Sequence, residues 1–180
     1  MNYNDKKIAF VLGHTKDNKG AFSDYLGDQE FDFWHDIYDV FLKDIGDLFE
    51  HNPDIKSYTK RQKAMAERTK DYDLVLELHF DAATPKAHGC HAIYYFDNKK
   101  AKELAEVFST SMERIMGIKA RHNVPCYNSS IRGGGFIMEQ KPTALLLESF
   151  FGTNQRDVGL FEMHMQEFVT VIKLLIKSLD

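Results

Sequence analysis

The sequence predicts an α/β fold in a single domain over residues 1–180, a mostly parallel, twisted mixed sheet of about six strands with helices on both faces. Three observations carry that prediction. Apolar runs of strand length alternate along the chain with longer segments of helical period, the order that builds parallel sheets. Several of those runs, IAFVL, LVL and ALLL among them, are apolar at consecutive positions, as strands covered on both sides require. The length of 180 residues, with 43% hydrophobic and 28% charged residues, suits one core burying roughly 70% of the unfolded surface. No repeat or low-complexity linker marks a boundary.

Residues 7–14, KIAFVLGH, read as a buried strand, and residues 15–28 as a long loop rich in Gly and Asp. From Glu30 onward, EFDFWHDIYDVFLKDIGDLFE sets Phe33, Ile37, Val40 or Phe41, Asp44 or Ile45, and Leu48 near one face, an amphipathic helix stopped by His51-Asn52-Pro53. IKSYT, residues 55–59, reads as a short strand, RQKAMAERTKDY as a polar helix, and DLVLELHF as a strand buried on both sides. GCHAIYYF gives another strand, and residues 99–117 a second long amphipathic helix closed by Gly117. After a loop over residues 118–135, FIMEQ and TALLLESFF read as the last two strands around Lys141-Pro142. Residues 158–179 form the closing helix, with a Met and aromatic stripe that belongs to core packing.

The formal net charge of -4, with no run of five like charges, argues against a nucleic-acid partner. No stretch of ~18 consecutive apolar residues exists, so no membrane span is expected. The opening segment MNYNDKKIAFVLGH lacks the cleavage site of a signal peptide. Cys90 and Cys126 make no disulfide framework and are expected as reduced thiols.

Three apolar runs end in ionisable side chains: His14 after IAFVLG, His79 after LVLEL, and Glu148 after ALLL. Parallel strands deliver such endings to one sheet edge, where ligands bind. A carboxylate beside an apolar strand needs a compensating cation or hydrogen bonds, and a metal supplies the first. Catalytic zinc takes three protein ligands and leaves one position open. His14 and His79 offer two, and the third is open among Asp17, Asp24, Asp28 and Glu30, of which Glu30 sits where the first helix begins and could point back at the sheet edge. On spacing alone a second reading stands, in which each histidine is a hydrogen-bonded rim residue.

Glu77 shares a strand face with His79, so it either accepts a hydrogen bond from an imidazole or pairs with an Arg or Lys across the sheet. HGCH, residues 88–91, has no CxxC partner and reads as rim, with His88 or His91 lining the cleft. NSSIRGGGF lacks the signature of a phosphate loop and is expected as a flap beside the site or an exposed hairpin tip. Arg132 within it is a candidate for a substrate carboxylate. His35, His51, His122 and His164 are assigned to surface or rim.

These residues also resemble, in order, the motifs of the zinc-dependent N-acetylmuramoyl-L-alanine amidases of bacterial cell walls and phage endolysins. Gly13-His14, Gly20-Ala21 and Glu30 match the opening pattern. Arg61, Arg68, Asp73, His79 and Ala82 match the middle, and Pro142, Glu148, Phe151, Asn154 and Asp157 the end. The likeness implies that His14, Glu30 and His79 bind zinc and that Glu148 is the catalytic carboxylate. It further implies hydrolysis of the amide between N-acetylmuramic acid and L-alanine in peptidoglycan. Without a signal peptide or a wall-binding module the chain looks more like a phage or prophage endolysin than a secreted autolysin, and it is expected as a monomer made in the bacterial cytoplasm that acts on the wall after release or export. The family's Ser-Leu-His-x-Asn-Ala reads ELHFDA here, so Glu77 and Asp81 add acid beside the metal and join Arg132 as candidates for substrate contact. Two other functions stay open at this stage: a zinc peptidase or amidase for another substrate, and a wall-binding domain without catalysis.

Overall fold

The computed structural model describes residues 6–180. Residues 1–5, on which part of the signal-peptide reading rests, lie outside the described residues. The chain runs β1 (Ile8–Leu12), β2 (Phe22–Ser23), β3 (Asp28–Gln29), α1 (Glu30–Ile37), β4 (Asp47–Phe49), α2 (Tyr58–Thr69) and β5 (Leu74–Asp81). It continues with β6 (His91–Tyr95), α3 (Lys99–Met116), β7 (Val124–Cys126), α4 (Gly134–Glu139), β8 (Thr143–Phe151), α5 (Gln155–Met163) and α6 (Met165–Lys177). Six strands form one sheet in the order β4-β1-β5-β8-β6-β7. Every neighbouring pair is parallel except β6 with β8. This is the predicted mixed, mostly parallel sheet.

β1, β5 and β8 occupy the middle and are buried along almost their whole length, because each is apolar at nearly every position. Alternation still sorts their side chains. Phe10, Leu76, Leu78, Leu145 and Leu147 join a large core with α1, α3, α5 and α6, centred on Trp34, Phe150, Phe161 and Phe168. Ala9, Val11, Val75 and Leu146 join a smaller core with Met65 of α2 and Phe136 and Ile137 of α4. Helices therefore cover both faces, as predicted. Asn98 caps α3 through the Ala101 amide, and Gly117 ends it in the left-handed conformation at φ 72°.

Four readings of local structure are corrected. Residues 47–49, assigned to the tail of the first helix, form edge strand β4; α1 passes into a π-helical turn at Tyr38–Leu42 and stops. IKSYT is not a strand, because Ser57 caps α2 and Tyr58 already begins it. FIME of FIMEQ lies in helix α4, entered through Gly133 at φ 74°, and Gln140 is its extended C-cap. The closing helix is two helices, α5 and α6, broken at His164, and Met163 of the supposed core stripe is 74% exposed. Conversely, β7 emerges from residues read as loop. Among the described residues, no helix is long and apolar enough to cross a membrane. Cys90 and Cys126 are free and buried.

Candidate metal centre and catalytic cleft

The carboxyl ends of β1, β5 and β8 meet at one edge of the sheet. His14 follows β1 by two residues, and His79 of β5 lies directly opposite Glu148 of β8. Between His79 and Asp81 the register shifts, so that Asp81 pairs with Phe151 and β8 carries an extra residue just past Glu148. Such bulges re-aim side chains beside active sites.

Glu30, the first residue of α1, reaches back to this edge, as its position at a helix start suggested. The loop before it is pinned by backbone hydrogen bonds from Glu30 to Ala21 and from Phe31 to Lys19, and by the Lys19–Asp32 ion pair at 2.7 Å. Its Oε1 lies 2.7 Å from His79 Nδ1 and accepts from the Phe80 amide at 3.1 Å; its Oε2 lies 3.0 Å from His14 Nε2. Ligand atoms of His14, Glu30 and His79 all fall within 4.8 Å of one another. Of the four carboxylates that spacing left open, the structure selects Glu30; Asp17 and Asp24 are exposed and Asp28 is half-buried outside the cluster.

Two glycines make this approach possible. A Cβ at Gly20, whose φ is 82°, would lie 2.6–2.7 Å from atoms of His14 and Glu30, and one at Gly13 would overlap the His79 imidazole. Two imidazole nitrogens and one carboxylate, converging from three elements without a lysine or arginine among them, are a donor set suited to zinc. Burial alone would push the Glu30 carboxyl up, but its contacts with His14 and His79 outweigh this and hold it at about 2. A buried carboxylate kept ionised is what a cation site requires.

Glu148 is equally buried and has the opposite character. Burial, reinforced by Asp81 and Glu30, pushes its carboxyl up to about 7 against the pull of His79 and Arg132, and its Oε2 has no hydrogen-bond partner among the described residues. Arg132 Nη2 stands 3.7 Å from its Oε1, while Arg132 Nη1 donates to Asp81 at 2.7 Å. Asp81 also meets Arg121 at 3.5 Å, and Arg121 in turn lies against His91 and over the Phe151 ring. Burial and Arg121 lower His91 to about 4. Of the NSSIRGGG segment, Arg132 and Gly133 line the cleft, while residues 128–130 are exposed. His91 is half-buried opposite Glu148 in register, whereas His88 is exposed and turned to the Lys86 carbonyl.

Glu77 points into the same cleft. Its Oε1 is 3.3 Å from His51 Nε2 and its Oε2 3.4 Å from His79 Nε2. The imidazole reading of Glu77 holds and the lysine or arginine reading does not. His51, assigned to surface or rim, is 2% exposed, a correction with a plain cause: a buried carboxylate at Glu77 needs a donor, and His51, two residues past β4, supplies it. His35 and His164 are half-buried at the surface and His122 is exposed, as read. Other motif residues make contacts that hold the surrounding elements. Arg68 donates to the Glu50 carbonyl and stacks on Phe49, and Arg61 donates to the Ile55 carbonyl. Asp73 accepts from the Lys7 amide, Asn154 caps α5, and buried Asp157 ties Gly89 to Phe151. Around all of this lies a cleft of about 300 Å³, walled by His14, Glu77, His79, Arg132 and Glu148 and on its far side by Tyr58, Arg61 and Gln62.

Comparison with known proteins follows the same lines. Solved structures share the fold at low sequence identity. The catalytic domain of CD27L, an endolysin targeting Clostridia difficile, has a TM-score of 0.74 at 21% identity, covering 97% of this chain and 96% of that one. The CwlD amidase from Clostridioides difficile, in complex with the GerS lipoprotein, has a TM-score of 0.73 at 17% identity, covering 97% and 98%. An N-acetylmuramoyl-L-alanine amidase from Clostridium difficile 630 has a TM-score of 0.72 at 17% identity, covering 96% and 94%. No curated protein matches the sequence. The model of one family, N-acetylmuramoyl-L-alanine amidase, matches residues 8–167, and with the strand-end residues it spans, the chain belongs to that family.

Proposed function

We propose that this protein hydrolyses the amide between N-acetylmuramic acid and L-alanine in peptidoglycan, at a zinc ion held by His14, Glu30 and His79, and that it serves as an endolysin of a phage or prophage. The observation that carries the reading is the pairing of the convergent His14, Glu30 and His79 with Glu148 directly across the β5–β8 ladder. Likeness to the CD27L catalytic domain supports the endolysin role. A zinc ion there supplies a Lewis acid for the scissile carbonyl and lowers the pKa of water towards ~7.

The chain's own residues account for the rest. Glu148, with a free oxygen and a pKa near 7, is matched to take a proton from the attacking water and return it to the departing alanine nitrogen. Arg132, on the solvent side of Glu148, meets a carboxylate of the peptide stem, and Asp81 holds Arg132 and Arg121 in place for it. Monomeric action on the wall, after release from the cytoplasm, is part of the same proposal.

Digestion of purified peptidoglycan with and without chelator, beside a Glu148→Ala control, tests it. New muramic lactyl carboxyls and free L-alanine N-termini, lost on chelation, are the expected products. Free carboxyl-terminal amino acids from the stem would instead mark a peptidase, and no release from any wall type a binding domain.

A further inference from the structure

Glu77 is a carboxylate where a buried strand would accept an apolar residue, and such burial costs stability unless every oxygen is answered. Both oxygens are answered by imidazoles. His79 Nε2 lies 3.4 Å from Oε2 and His51 Nε2 lies 3.3 Å from Oε1, with the His51 and Glu77 side chains only 1% and 3% exposed. His79 is thereby engaged at both ring nitrogens: Nδ1 faces Glu30, and Nε2 faces Glu77. Gly13 lies against the same ring so closely that no side chain fits there. Glu77 meets His79 at the nitrogen that Glu30 does not take, and His51 in turn meets Glu77.

We propose that Glu77 is a positioning residue for the metal centre, accepting the Nε2 proton of His79 so that Nδ1 is presented to the ion, while His51 holds Glu77 in that pose. The inference rests on the zinc reading above. A ring with two nitrogens binds through either, and a carboxylate behind one of them decides which carries the proton and which the lone pair. Glu77 is well placed for this, since period 2 along β5 puts it on the face of His79. His51 completes the arrangement by donating from Nε2 to the second carboxylate oxygen, which leaves Oε2 aimed at His79.

Competition with a chromophoric chelator measures zinc affinity of the whole chain. Glu77→Gln keeps the volume of the side chain and is expected to weaken zinc binding by ~10–100-fold, as loss of such a partner typically does. His51→Gln is expected to lose less, and the double variant to bind no more weakly than Glu77→Gln alone, because His51 acts through Glu77. In zinc-loaded protein labelled with ¹⁵N-histidine, the His79 Nε2 proton resonance is expected to move upfield in Glu77→Gln, a change that general loosening of the fold does not produce. Wild-type zinc affinity and an unmoved resonance in folded Glu77→Gln would overturn the inference. Should that variant not fold, the same two null results in His51→Gln overturn it. His14→Ala separates the two claims. If it binds zinc as tightly as the wild type, the metal centre fails and this inference with it; if it binds weakly while Glu77→Gln does not, only the inference falls.

Discussion

Along β5, Leu74, Leu76, Leu78 and Phe80 face one side of the sheet, and Val75, Glu77, His79 and Asp81 face the other. All eight are buried, on one backbone, in one ladder. The first face meets α1, α3, α5 and α6 through apolar contacts alone. The second begins apolar, at Val75 against α2 and α4, and turns ionic at the cleft, where Glu77 and His79 line the wall. Burial therefore means two things on the same strand. Transfer from water stabilises the first face, whereas the second is held by mutual compensation of charges that cost stability to bury. Substitutions should split accordingly, the apolar face governing stability and the ionic face governing chemistry.

The largest effect is expected from the ligands. His79→Ala removes one of three donors, so zinc and turnover should be lost together, by more than the ~10²–10⁴-fold typical of losing a proton-transfer group. Zinc content by mass spectrometry and release of L-alanine N-termini check it; a variant that keeps both would break the division between faces at its strongest point.

Glu148→Gln comes next, with turnover expected to fall by ~10²–10⁴-fold while zinc stays bound. Stability sharpens the contrast. The folded pKa of about 7 lies above the ordinary 4.5 of a glutamate, so the folded state holds this proton more tightly than the unfolded chain. That contribution is full below pH 4.5 and is lost as pH rises through 7, about 3 kcal/mol in all. Glutamine imitates the protonated form. Metal-free Glu148→Gln should thus be more stable than the wild type at pH 8 by up to about 3 kcal/mol and equal to it at pH 4, as urea unfolding would read. An identical gap at both pH values would show that the carboxylate is not strained by its burial.

On the opposite face, Leu76→Ala should cost about 2–5 kcal/mol of stability and leave turnover per folded molecule unchanged. Leu76 is fully buried, packed in the large core, and one residue before Glu77. Turnover that fell in proportion with zinc affinity would mean the two faces are coupled.

The same division explains what could be read from the sequence. The three central strands were legible because each is apolar on both faces, and their site residues because an ionisable group interrupts such a run. His14, His79 and Glu148 stood out for that reason. Glu30 stood out less, since one acid among four in an irregular loop has no period; its place at the start of a helix and the resemblance singled it out. The sheet edges were read poorly. β4 is three residues whose Leu48 also fits a helical spacing, and β7 contains Pro125, which edge strands tolerate and which reads as a loop. FIMEQ has the composition of a strand, and what makes it helical is tertiary: Phe136 and Ile137 fill the small core beside Met65 of α2. The antiparallel entry of β6 left no local mark. His51 had a signal in Glu77, a buried acid in need of a donor, but no spacing tells which distant residue answers it.

Arg132 gives the smallest expected effect and the finest distinction. Its side chain is 65% exposed, reaches Asp81 at 2.7 Å and stands 3.7 Å from Glu148, so it belongs to the ionic face but at its solvent end. If it meets a stem carboxylate, Arg132→Ala should raise KM about tenfold, the worth of one charge-assisted hydrogen bond, with kcat little changed. The difference should vanish for a substrate whose stem carboxylate is amidated. A fall in kcat without a rise in KM would place the guanidinium with Glu148 instead, as a charge that tunes the base. Because Asp81 holds both arginines and itself raises the Glu148 carboxyl, Asp81→Asn should lower the pH at which activity rises in either case, and KM separates the outcomes: releasing the guanidiniums should raise KM if they bind substrate and leave it unchanged if they act on Glu148.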